Sequence, residues 1–232
     1  MASTYKLRTF SSVEDKRIKL ANSQVARLWD SGVGTSWTTI RIGCRISIDD
    51  FGGNILSTPR FAFGICSGTS NLFMDATTTH WAGVVSDVSS WRYLAGPPAS
   101  LGPNNPWTLS VAKRVGSTLT IGSAIGPGFW QIGDCAVATR TVFFLDITKG
   151  SPNFTFQLYG NSTNTPFGDV SLATFLAQVP LLTPSIANHT QGSAVTQAVD
   201  EGTDGQFSAV NIAWDRSSPA IEISDLSIVK LA

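Results

Sequence analysis

Ile40-Arg41-Ile42-Gly43-Cys44-Arg45-Ile46-Ser47-Ile48 is the stretch on which the fold turns. Apolar residues stand at every second position, and Arg41, Gly43, Arg45 and Ser47 fill the places between. Successive side chains of a strand point to opposite faces, so this stretch predicts a long strand with one apolar and one mainly polar face. Cys44 belongs to the apolar series and is expected as a buried, reduced thiol. The same period recurs at Phe61, Phe63 and Ile65 and at Trp107, Leu109 and Val111, with an apolar run through Trp81, Val84 and Val85 between them. It returns at Leu119 and Ile121, and further apolar stretches occur from Arg140 to Ile147, at Phe154, Phe156 and Leu158, at Val210, Ile212 and Trp214, and from Ala220 to Leu231. About nine strands of ordinary length result. Gly52-Gly53-Asn54 supplies turn chemistry, and Gly96 to Pro106 is read as a surface connection because its prolines lack donors.

Such a chain is all-β, an antiparallel two-sheet sandwich, with a barrel as the structural alternative. One short helix stands apart over Asp169 to Val179. Leu172, Phe175, Leu176 and Val179 recur there at spacings of three and four, Ser171 or Asp169 can cap the start, and Pro180 ends the run. It is expected to plug an open end of the sandwich.

Hydrophobic residues make up 42% of the 232 positions and charged ones 14%, enough to build a core and too apolar for a disordered chain. Sixteen basic residues balance sixteen acidic ones, which argues against a dedicated nucleic-acid binder. Few charges and no net charge also leave a surface poorly protected from self-association. No apolar run approaches the roughly 18–20 residues of a membrane helix, and no apolar signal region follows the first charges, so neither membrane insertion nor export is expected.

Residues 1–35 differ from the rest. Lys6, Arg8, Lys16, Arg17, Lys19 and Arg27 outnumber Glu14, Asp15 and Asp30 there. Ser11 and Glu14 have the spacing of a helix capping box, but the apolar residues that follow keep neither period. The stretch is read as an arm or edge segment whose six basic residues dock a partner, ahead of a β-sandwich domain over 36–232.

Catalytic patterns are missing. Glu222 and Asp225 fall on opposite faces of a regular strand, His80 and His189 read as exposed loop histidines, and the Gly-rich Gly122 to Gly128 lacks the Lys-Ser or Lys-Thr of a phosphate loop. Cys44, Cys66 and Cys135 have no metal-binding spacing. No cofactor is expected apart from calcium, for which Asp200, Glu201 and Asp204 offer carboxylates, with Asp49, Asp50 and Asn54 as a second oxygen cluster. Trp37, Trp81, Trp107 and Trp214 are expected in the core or on sheet faces. Trp91 and Tyr93 lie where a strand gives way to the proline-rich segment, and are read as an aromatic platform for a sugar ring or a protein partner.

Two segments carry a resemblance. Trp107 to Ile121, a strand ending in Lys113-Arg114 that turns through Gly116 into a second alternating strand, looks like the central hairpin of concanavalin A-like lectins and laminin-G-like domains. Ala220 to Leu231 is similar to their last strand. The resemblance implies a jelly-roll sandwich and a group that includes sugar-binding lectins, adhesion modules, glycanases and domains of virion fibres. The Glu-x-Asp-x-Glu strand motif of the sandwich glycanases has no match here. A basic arm before a β-domain rich in Gly, Ser, Thr and Trp also resembles structural proteins of tailed bacteriophages. The expected function is therefore a non-catalytic virion component, a head or tail decoration, fibre or adaptor, partnered with its own copies and other virion proteins. A carbohydrate-binding module built on Trp91 and Tyr93 is the alternative, and a glycan-active enzyme comes third.

Overall fold

The computed structural model describes residues 13–14, 17–20, 26–30, 36–48, 60–66, 80–86, 106–107, 109–115, 118–125, 130–131, 139–150, 153–161, 171–185, 189–199, 207, 209–215 and 221–231. Its strands are β1 (Val13–Glu14), β2 (Arg17–Leu20), β3 (Ala26–Asp30), β4 (Thr39–Ile48), β5 (Arg60–Cys66), β6 (His80–Ser86), β7 (Pro106–Trp107) and β8 (Leu109–Val115). They continue as β9 (Thr118–Ala124), β10 (Trp130–Gln131), β11 (Thr139–Thr148) and β12 (Asn153–Asn161), followed by helix α1 (Leu172–Gln178). β13 (His189–Gln191), β14 (Val195–Ala198), β15 (Ala209–Asp215) and β16 (Ile221–Lys230) complete the series.

The Ile40–Ile48 alternation forms β4, between β16 and β11 in an eight-stranded antiparallel sheet ordered β1-β2-β16-β4-β11-β12-β13, with β14 also on β12. Ile40 stands opposite Ile147 and Ile42 opposite Leu145, and these four side chains are buried. Phe154, Phe156, Leu158 and Ile228 extend the same inner face. A six-stranded antiparallel sheet, β3-β15-β5-β6-β8-β9, supplies the opposing layer. Phe63, Ile65, Ala82, Val84, Val111 and Val210 are its buried inner residues. The sheets meet at one corner, where the Gln197 side chain occupies the place a Cβ on Gly122 would take.

One end of the sandwich is closed by aromatic residues. Trp37 meets Phe154 edge-on at 6.5 Å and Phe154 meets Phe207 at 5.8 Å. The Trp37 indole N–H donates to the Phe207 carbonyl at 3.1 Å, tying the approach to β4 to the approach to β15. The Lys149 ammonium lies 4.3 Å from the centre of the Trp37 ring, a favourable cation–π distance.

Helix α1 begins where the spacing predicts, with the Ser171 hydroxyl accepting from the Thr174 N–H at 3.1 Å. Its place is not an open end. Phe175 stacks on Phe144 at 5.6 Å with 11° between the rings, which sets the helix on the outward face of the eight-stranded sheet. Gly43 makes the approach possible, because a Cβ there would lie 2.7 Å from the Phe144 ring. So short a helix meets the sheet along a single line through Phe175 and Val179. Leu176, expected on the buried stripe, is accordingly 53% exposed.

Other expectations are corrected locally. Glu14, the second member of the capping-box spacing, is in a strand, and Ser11 lies outside the described residues. Pro106 opens the two-residue β7, which pairs with β10, and the first position of a strand tolerates a missing N–H. β16 is irregular between Ser224 and Ser227, so the alternation argument for Glu222 and Asp225 does not hold across it. No helix among the described residues is long and apolar enough to cross a membrane.

Candidate functional site

The outward face of the six-stranded sheet is built from small residues under one large one. Gly64 and Gly83 stand opposite each other on β5 and β6. The Trp81 ring lies across both, its Cζ2 atom 2.9 Å and 2.8 Å from where their Cβ atoms would be. Cys66, Val85, Ser110 and Ala112 share this face by alternation, and all are buried. Burial also pushes the Cys66 thiol up to about 12, which leaves it protonated and unreactive.

Connections reach this sheet from both ends. The segment carrying Trp91 and Tyr93 leaves β6 at Ser86, opposite Leu109 at the start of β8. The segment carrying Asp200, Glu201 and Asp204 leads into β15 at Ala209, opposite Cys66 at the far end of β5. Ser86 and Ala209 stand at opposite ends of this sheet. All five residues lie outside the described residues, as do Asp49, Asp50 and Asn54.

Of the six basic residues of the N-terminal segment, three fall on described strands. Lys6, Arg8 and Lys16 lie outside the described residues. Arg17 and Lys19 are on β2, hydrogen-bonded to β16 of the larger sheet, whereas Arg27 is on β3 at the edge of the smaller one. His80 is corrected outright. It opens β6 and is 9% exposed, its Nδ1 without a hydrogen-bonding partner, because the strand begins earlier than the Thr-rich sequence suggests. His189 is the first residue of β13.

The best-defined polar cluster escaped the sequence reading. Arg41 stands on the polar side of the β4 alternation, which the pattern alone assigns to solvent, yet it is 0% exposed. Its Nε and Nη2 donate to the two carboxylate oxygens of Asp146 on β11, both at 2.6 Å. Nη1 donates to the Val179 carbonyl at 3.2 Å and to that of Leu181, and Nη2 donates to that of Leu182 at 3.0 Å. The guanidinium also sits 5.3 Å from the Tyr159 ring centre and 5.9 Å from that of Phe144. It therefore caps the helix C-terminus and clamps the following turn to the sheet. Burial holds the Asp146 carboxyl above its ordinary value, against the pull of Arg41, and likewise raises Tyr159. Every Arg41 donor that could serve a ligand is already committed, so the cluster is a structural clamp.

At the level of sequence, no family model and no curated protein matches the chain. Solved structures do. The carbohydrate recognition domain of Emp46p in metal-free form superposes with a TM-score of 0.55 over 98% of this chain and 88% of its own, at 11% identity. The exoplasmic/lumenal domain of VIP36 in its Ca2+-bound form gives 0.54 over 98% and 83%, at 9% identity. The carbohydrate recognition domain of Emp47p gives 0.51 over 98% and 88%, at 10% identity. The fold is the concanavalin A-like sandwich. This lectin-type architecture matches what the Trp107 hairpin and the last strand imply, although Trp107 itself belongs to β7 and the hairpin strands are β8 and β9. Among the described residues no three His, Cys, Asp or Glu side chains gather as metal ligands.

Proposed function

We propose that the chain is a non-catalytic, lectin-like glycan-binding domain. The observation that carries this reading is the shared fold along 98% of the chain with domains named for carbohydrate recognition. VIP36 supports it further, having been captured with Ca2+ together with mannose and with Man2 on the same architecture. Fold by itself does not fix function, so the proposal also draws on the residues of this chain. Trp91 and Tyr93 supply the flat apolar faces on which a sugar ring stacks. Asp200, Glu201 and Asp204 supply hard oxygen donors suited to calcium. In this reading the acidic residues hold calcium and the aromatic pair contacts the glycan. The virion role expected from composition and organisation has no counterpart among the structural neighbours named above.

Isothermal titration with mannose and mannobiose, in calcium and in a chelator, tests the proposal. Binding that is lost in Trp91→Ala, with the circular-dichroism spectrum unchanged, is the expected result. A broad glycan array without a single bound sugar, in calcium, would overturn it.

A further inference from the structure

The turn that follows α1 holds apolar side chains out in water. Leu176 is 53% exposed, Leu181 44% and Leu182 78%, and Pro180 beside them is exposed too. One exposed leucine is ordinary, whereas three so close in the chain mark a place of contact. The backbone beneath them is fixed. The buried Arg41 guanidinium donates to the carbonyls of Val179, Leu181 and Leu182. The Leu181 N–H donates to the Gln178 carbonyl at 3.1 Å, and the Ser185 N–H to the Gln178 side-chain oxygen at 2.6 Å. With its carbonyls drawn to the sheet, the turn presents its leucines in one arrangement, and contact through them costs little further ordering.

Charge decides what this turn meets. No Asp, Glu, Lys or Arg occurs over 170–199, so the turn itself is neutral. Two lysines stand at the sheet end beside it. The Lys149 N–H donates to the Thr38 carbonyl at 2.8 Å, and Lys230, which is exposed, lies between Val229 and Leu231, both packed in the cluster around Phe175. Across 36–44, 142–150, 171–185 and 227–231 Asp146 is the one carboxylate, and Arg41 holds both its oxygens. Further along the outward face that α1 covers, the register sets Arg45 opposite Ser224 and Val142, and Arg140 opposite Ser47, with Arg17 and Lys19 beyond. Glu14 and Glu222 share that face, and Asp225 falls in the irregular stretch of β16, so basic positions remain in excess.

Leucines that project beyond basic surroundings fit a surface that is negative outside and hydrocarbon beneath. We propose that this face docks on an anionic lipid bilayer, with Leu181, Leu182 and Leu176 entering the boundary between headgroups and acyl chains and the basic residues meeting the anionic headgroups. A helix about 10–12 Å across sets its outer side chains well above the sheet it lies on, and such contacts reach roughly 5–10 Å into the bilayer. A surface contact needs no spanning helix, and none occurs among the described residues. Glycan binding through Trp91 and Tyr93 uses other residues, so either reading can fail alone.

Co-sedimentation of the full chain with lipid vesicles tests this. The wild type is expected to pellet with an equal mixture of phosphatidylcholine and phosphatidylserine, far less with phosphatidylcholine alone, and less with the mixture as salt rises. Leu181→Asp/Leu182→Asp should partition into the mixed vesicles roughly tenfold less or worse, with unchanged circular dichroism. Val115→Asp, at an apolar residue 41% exposed on the smaller sheet, should bind like the wild type. Brominated acyl chains should quench the fluorescence of Leu182→Trp more than that of the wild type, a direct readout of insertion. The proposal fails if the wild type ignores the mixed vesicles, if it binds both kinds equally, or if the double aspartate variant binds undiminished. It fails equally if these leucines bind a purified protein while no vesicle is bound, which would give the face to a protein partner.

Discussion

Arg41 shows how one side chain can reverse the reading of a strand face. A buried ion pair earns little over apolar residues of the same shape, but breaking it leaves a charge without a partner, at about 3–5 kcal/mol. Arg41→Met and Asp146→Asn are each expected to cost that much in urea denaturation at neutral pH. The double variant Arg41→Met/Asp146→Asn should cost clearly less than their sum, because the two groups act as a unit. The pH dependence follows from the raised Asp146 carboxyl, whose ordinary value is 3.8. A carboxyl raised by burial binds its proton in the native state at pH values where the unfolded chain has lost it. The stability it contributes is complete below the unfolded value and declines as pH rises through the native one. Urea midpoints measured across the carboxylate range should fall more with rising pH in the wild type than in Asp146→Asn. The thiols add a simpler expectation. Cys44 and Cys66 are buried and their pKa values raised by that burial, so mild alkylation of the native protein should leave both unmodified, as peptide mass spectrometry can check.

Among the elements, α1 and the glycine pair carry the most consequence. Phe175 is the helix's main anchor, sharing a buried cluster with Val142, Phe144, Tyr159, Val179 and Val229. Phe175→Ala is expected to cost about 3–5 kcal/mol, whereas Leu176→Ala, at an exposed position, should change the thermal midpoint little. Gly83→Ala places a methyl group against the Phe63 carbonyl and the Trp81 ring. Overpacking of that kind costs about 1–3 kcal/mol, and thermal denaturation should show it. Parity in β16 is informative as well. Ile221 and Ile223 pair with Ile48 and Ile46, while Ile228 pairs with Ile42. The apolar series changes from odd to even positions, and one extra residue between Ser224 and Ser227 absorbs the change, so the bulge was written in the sequence but not read there.

At the scale of the whole molecule, sixteen charges of each sign and an isoelectric point near 6.7 predict how copies behave together. Light scattering should find association strongest near that pH, with repulsion returning on either side as net charge grows. The sandwich is also one cooperative body through its long-range ties, among them Trp37 to Phe207 and Arg41 to the turn after α1. Fluorescence and far-ultraviolet circular dichroism are expected to report coincident unfolding transitions.

Period-two alternation was enough to place the main strands, the buried Cys44 and the two-sheet class, because alternation is a local consequence of backbone geometry. The start of α1 was equally legible, since a cap and its three-and-four spacing are neighbours in the chain. Strand order, the seat of α1 on a sheet face and the burial of Arg41 were settled only in three dimensions. Arg41 and Asp146 are 105 residues apart, and a polar position on a strand looks the same in sequence whether water or a helix covers it. What faces a residue is decided by segments far along the chain, and no local period records them.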